Sequence, residues 1–90
     1  MPQRDIRLTL IGKPGCHLCD DAREVVQAVT AEIAATDAPP RIVFDERSIL
    51  DDDELRARYA EEIPVVLIDD VVHNYWRIDP VRLKTALLAG

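Results

Sequence analysis

The chain has 90 residues, of which 48% are apolar and 31% charged, with a formal net charge of −6. That length holds a single domain with one core, burying roughly two-thirds of the surface of the unfolded chain, and the composition is that of a globular protein. The acidic balance and the lack of a dense Lys/Arg cluster exclude a phosphate-tracking surface for nucleic acid, and no run of ~20 apolar residues is present to span a membrane.

Ile6 to Ile11 alternates apolar and polar residues and reads as a strand. The run is too short and too interrupted for the apolar region of a signal peptide, so a cytoplasmic monomer is the expectation. Gly12-Lys13-Pro14-Gly15 breaks the strand. Leu18, Ala22, Val25, Val26, Val29 and Ile33 then recur at gaps of three and four, which predicts a long helix over 18–36 with one apolar stripe. Pro39 and Pro40 end it.

Arg41 to Phe44 reads as a short second strand. The Asp51-Asp52-Asp53 run supplies caps for a short helix reaching about Tyr59. Pro64 to Ile68 is almost wholly apolar, as a strand covered on both faces would be. Asp69-Asp70 suits a tight hairpin turn, and Val71 to Trp76 returns as a more polar edge strand. Asp79-Pro80 is a helix start, with Leu83, Leu87 and Leu88 as the buried face of that last helix. The order is thus β-α-β-α-β-β-α. The first two strands should be parallel through a right-handed crossover, and the last two antiparallel. A mixed four-stranded α/β sheet with helices on both faces is the natural packing.

Cys16 and Cys19 fall where the first strand ends and the first helix begins. Two intervening residues make about one helical turn, which brings both sulfurs to one face within disulfide reach. At Cys16 the unpaired backbone N–H groups of a helix start favour a thiolate, while Cys19 is placed to be shielded and to attack a mixed disulfide formed at Cys16. Lys13 and a protonated His17 support the thiolate, and Asp20 and Asp21 oppose it; the balance is open at this point. A zinc site would need two more ligands, and only His17 and His73 are at hand. A Cys-x₅-Arg phosphatase loop fails because Ala22 stands at the arginine position. Two inert, partly buried cysteines are the remaining plain reading, against which their place at a helix start counts.

With these elements in order, the chain resembles the glutaredoxin-like members of the thioredoxin superfamily. The resemblance is carried by Lys13-Pro14-Gly15-Cys16-His17-Leu18-Cys19, by Ile63-Pro64-Val65-Val66, and by the closing hairpin and helix. It implies a thiol–disulfide oxidoreductase with Cys16 as nucleophile and Cys19 as resolving thiol. It also implies a cis Pro64 that, with Ile63, offers backbone hydrogen bonds to an extended substrate, and a Lys13 able to meet a substrate carboxylate. His17 would tune the nucleophile, and Arg77 could pair with a carboxylate. No bound cofactor is implied. The partners would be a disulfide-bearing protein or small thiol, with glutathione, another low-molecular-weight thiol or a thioredoxin-reductase-like flavoprotein as reductant. Two departures stand out: His17-Leu18 replaces the usual Pro-Tyr pair, and Trp76-Arg77-Ile78-Asp79 stands where a Gly-Gly pair usually precedes the last helix. The rival reading is a non-catalytic binding or iron–sulfur-carrying module on the same scaffold.

Overall fold

The structure, a computed structural model, describes residues 5–89. It contains β1 (Asp5–Gly12), α1 (His17–Ala34), β2 (Arg41–Ser48), α2 (Asp53–Tyr59), β3 (Val65–Ile68), β4 (Val71–Tyr75) and α3 (Pro80–Ala89). The strands form one sheet in the order β2-β1-β3-β4. β1 and β2 run parallel from Asp5↔Arg41 to Gly12↔Ser48, as a crossover through α1 requires. β3 is antiparallel to β1, and β4 to β3.

Strand alternation divides the apolar side chains between the two faces of the sheet. Ile6, Leu8 and Leu10 of β1 and Val66 of β3 meet Ala22, Val26, Val29 and Ile33 of α1 and Leu83 and Leu87 of α3. On the other face Ile11, Val65 and Leu67 pack with Ile49 and Tyr59. β3 is therefore covered on both sides, which is why its sequence is uninterruptedly apolar. Each of the Val, Leu and Ile side chains contributes about 1.5–3 kcal/mol when fully removed from water, so the core rests on a dozen or so of them, with Tyr59 its one buried aromatic among the described residues.

The turns and caps follow from local chemistry. Asp69 and Asp70 have φ of 51° and 68°, the left-handed pair that a two-residue hairpin needs. Arg7 fastens that turn: its N–H donates to Asp69 Oδ1 at 2.9 Å and its guanidinium pairs with Asp70. Asp52 caps α2 by accepting from the Glu54 and Leu55 N–H groups. Asp79 caps α3, its Oδ1 accepting from Val81 N–H at 2.9 Å and Arg82 N–H at 3.2 Å.

Three sequence expectations are corrected. β2 extends to Ser48 rather than stopping at Phe44, because an exposed edge strand carries Asp45, Glu46 and Arg47 at no burial cost while its backbone pairs with the rest of β1. The last strand ends at Tyr75 rather than Trp76, whose φ of 64° turns the chain out of the ladder. Leu88 is exposed, since the buried stripe of α3 follows the Leu83–Leu87 spacing and Leu88 lies about 100° round the helix from Leu87.

Candidate functional site

β1 delivers the chain to the start of α1 through the turn at Lys13–Gly15, where Gly15 takes a φ of 75°. Cys16 is the N-cap of α1, with φ −100° and ψ 116°. Its sulfur occupies the capping position that a serine or aspartate oxygen usually holds: Cys19 N–H donates to Cys16 Sγ at 3.2 Å. Cys16 is half-buried and Cys19 is buried, and both are free thiols.

Cys19 faces the end of β1 at close quarters. A Cβ on Gly12 would stand 2.9 Å from Cys19 Sγ, so only glycine fits there. The Cys19 thiol is pushed up to about 11, first by burial and then by the hydrogen bond it gives Cys16; the Lys13 backbone N–H, donating to Cys19, pulls in the opposite direction. The two sulfurs are thus differentiated: one reachable at a helix N-terminus, the other shielded and protonated at neutral pH.

The remaining residues singled out in the sequence distribute around this pair. Lys13 meets Cys19 through its backbone, while its exposed side chain borders a hollow of about 350 Å³ shared with Arg23, Glu46, Arg47 and Asp51. His17 is the exposed first residue of α1. The Ile63–Pro64 peptide is cis, and Pro64 is buried. Arg77 lies with Leu18 and Trp76 along a second hollow, separate from the one bordered by Lys13. Among the described residues no group of three His, Cys, Asp or Glu side chains is arranged to hold a metal ion, and no helix is long and apolar enough to cross a membrane.

Three further positions escape a reading of the sequence. Gly12 reads there only as a strand breaker, although a glycine just ahead of a cysteine pair is itself a sign of close backbone approach. Arg23 clamps the first turns of α1 to β2, donating to both Glu46 carboxylate oxygens at 2.6–3.1 Å and to Asp20 Oδ1 at 2.9 Å. Glu46 is held below its ordinary carboxylate range mainly by that guanidinium. Trp76 is tied to the segment before β3, its backbone N–H donating to Pro64 O at 2.8 Å and its indole N–H to Glu61 O at 3.1 Å. Such long-range pairings leave no local signature.

The mixed sheet, the element order and a cysteine pair opening the first helix define a thioredoxin-like fold. Within that class the chain belongs to the glutaredoxin-like domain family DUF836, whose model matches residues 7–88. Its similarity to an X. campestris structural-genomics protein solved by X-ray reaches 31% identity and a TM-score of 0.67, covering 92% of this chain and 97% of that one. The solution structure of protein Ne2328 from Nitrosomonas europaea has a TM-score of 0.70 at 17% identity, over 97% of this chain and 96% of that one, and shares the fold. Uncharacterised proteins of Mycobacterium tuberculosis and Mycobacterium bovis are 28% identical over 78 residues, 87% of this chain and 78% of theirs.

Proposed function

We propose that this protein is a thiol–disulfide oxidoreductase that reduces disulfides through Cys16 and Cys19. The observation that carries the reading is the asymmetry of the pair. Cys16 caps α1 with its sulfur accepting from the Cys19 backbone N–H, and Cys19 is buried behind it with its thiol raised to about 11.

In the first half-reaction the Cys16 thiolate attacks one sulfur of a substrate disulfide. A Cys16–substrate bond forms, the substrate S–S bond breaks, and the departing thiolate takes a proton. Cys19 then gives up its proton and attacks Cys16 Sγ, releasing the second substrate thiol and leaving a Cys16–Cys19 disulfide. Two electrons have passed to the substrate. A thiol reductant, either glutathione or another low-molecular-weight thiol, or a flavoprotein of the thioredoxin-reductase kind, restores the dithiol. The hydrogen bond from Cys19 N–H supports the attacking sulfur, and burial keeps Cys19 from competing as a nucleophile. Ile63 and Pro64 supply a backbone edge to an extended substrate, with Lys13, His17 and Arg77 as the polar groups around the entry.

Reduction of an insulin-type or small-molecule disulfide by the reduced protein tests this reading. Activity abolished by Cys16→Ser, with a trapped mixed disulfide in Cys19→Ser, is the expected pattern. Equal activity in wild type and Cys16→Ser overturns it.

A further inference from the structure

We propose that the groove lined by Leu18, Tyr75, Trp76 and Arg77 selects the substrate, and that its occupant is an extended polypeptide segment carrying a bulky apolar side chain beside a carboxylate. This rests on the exchange reaction proposed above and deepens it by naming the substrate class: protein disulfides in such a context rather than small thiols.

The first ground is the conformation of Trp76. Its φ of 64° lies in the left-handed region, which costs a bulky non-glycine residue on the order of 1–3 kcal/mol. Hydrogen bonds to Pro64 O and Glu61 O hold it there, yet the side chain is 53% exposed. A core role would bury the ring, and a plain turn would use glycine. What this arrangement achieves is a fixed aromatic face, backed edge-on by Tyr75 at 5.0 Å and 79°. That face shares a groove with Leu18, itself exposed between the two cysteines.

The second ground is continuity. The bonds from Trp76 to Glu61 and Pro64 join the aromatic face to the segment entering β3. On this proposal a peptide paired along Ile63 would set a side chain on Trp76 as its sulfur reaches Cys16.

The third ground is charge. In a chain of net charge −6, Arg7, Arg23, Arg47 and Arg56 each pair with a carboxylate. Arg77, like Arg41, Arg58 and Arg82, makes no ion pair among the described residues, and it lines the groove beside Trp76 and Leu18. The groove it shares with Leu18, Tyr75 and Trp76, about 450 Å³, has no carboxylate on its lining, and a smaller adjoining hollow of about 180 Å³ has only Asp21. An unpaired guanidinium beside an apolar face matches an acidic group next to an aromatic or aliphatic one.

Trp76 is the only tryptophan, so its fluorescence reads occupancy of the groove directly. The probes are peptides with serine in place of the disulfide cysteine, carrying Phe-Glu, Phe-Lys or Ser-Glu next to that position, titrated into the reduced full chain. The Phe-Glu peptide is expected to bind at least tenfold more tightly than either of the others, and Arg77→Glu to invert the Glu/Lys preference. The inverted preference also shows that the variant is folded. Equal affinities for the three peptides, or a preference that Arg77→Glu leaves unchanged, overturn the proposal. Disulfide reduction is measured separately. Selective binding without reduction would sink the exchange reaction and leave the groove standing, whereas reduction without selectivity would do the reverse.

Discussion

Cys19 is 1% exposed and carries a thiol raised from 9.0 to about 11, so between those values the unfolded chain releases a proton that the folded chain keeps. The native state binds more protons in that window, and stability falls as pH rises through it, by about 2–3 kcal/mol in all. The urea midpoint of the reduced protein should therefore decline above pH 9, with the decline removed in Cys19→Ala; an identical slope in that variant contradicts the assignment. At neutral pH the same asymmetry predicts a single adduct with iodoacetamide, on Cys16, and a second only after denaturation. Gly12 belongs to this scale too. In Gly12→Ala the added methyl would meet Cys19 Sγ at 2.9 Å, and because the sulfur is packed in the core it cannot swing away. A loss of about 1–3 kcal/mol in chemical denaturation is expected, as for other overpacked sites.

The elements that hold the site are fixed by caps and clamps as much as by apolar stripes. α3 begins at Pro80 with Asp79 closing its free N–H groups, directly after Trp76 and Arg77. Asp79→Ala should cost about 1 kcal/mol, read as a lowered urea midpoint, whereas Asp79→Asn should recover most of it. The hairpin of β3 and β4 carries an irregularity: Val66 faces Asn74 while Leu67 faces Val72, leaving His73 as the extra residue of a bulge. His73 Nε2 is buried with no hydrogen-bond partner among the described residues. Its pKa is lowered, first by burial and then by Arg82. The unfolded chain thus takes up a proton on this histidine that the folded chain refuses. Stability is fully present above about pH 6.5 and is lost as the pH falls below it. Denaturation midpoints between pH 5 and pH 7 should show that loss in the wild type and a flatter profile in His73→Gln. Equal slopes would remove His73 from the account.

At the scale of the whole molecule, the sequence discloses the fold more fully than the site. The element order, the doubly covered β3 and the hairpin at Asp69-Asp70 are legible because each is set by local rules: period-two alternation, an unbroken apolar run and residues that tolerate a left-handed backbone. The extension of β2 through Asp45, Glu46 and Arg47 is not, since an edge strand takes its length from the partner's backbone and not from its own composition. At the site, the spacing of Cys16 and Cys19 announces the pair, and Asp79 its cap. The Gly12–Cys19 approach is hinted at only by the glycine itself, while the Arg23–Glu46 clamp and the bond from Trp76 to Glu61 join residues 23 and 15 positions apart, and nothing in the intervening sequence encodes them. The central claim remains the redox chemistry of the cysteine pair. It is tested most directly by equilibrating the protein in buffers of defined thiol–disulfide ratio and counting acid-trapped free thiols by mass. The account predicts one reversible two-electron couple, between about −200 and −270 mV, that disappears in Cys16→Ser. Two thiols that persist at every ratio, or that are modified independently with no Cys16–Cys19 bond formed, would contradict it.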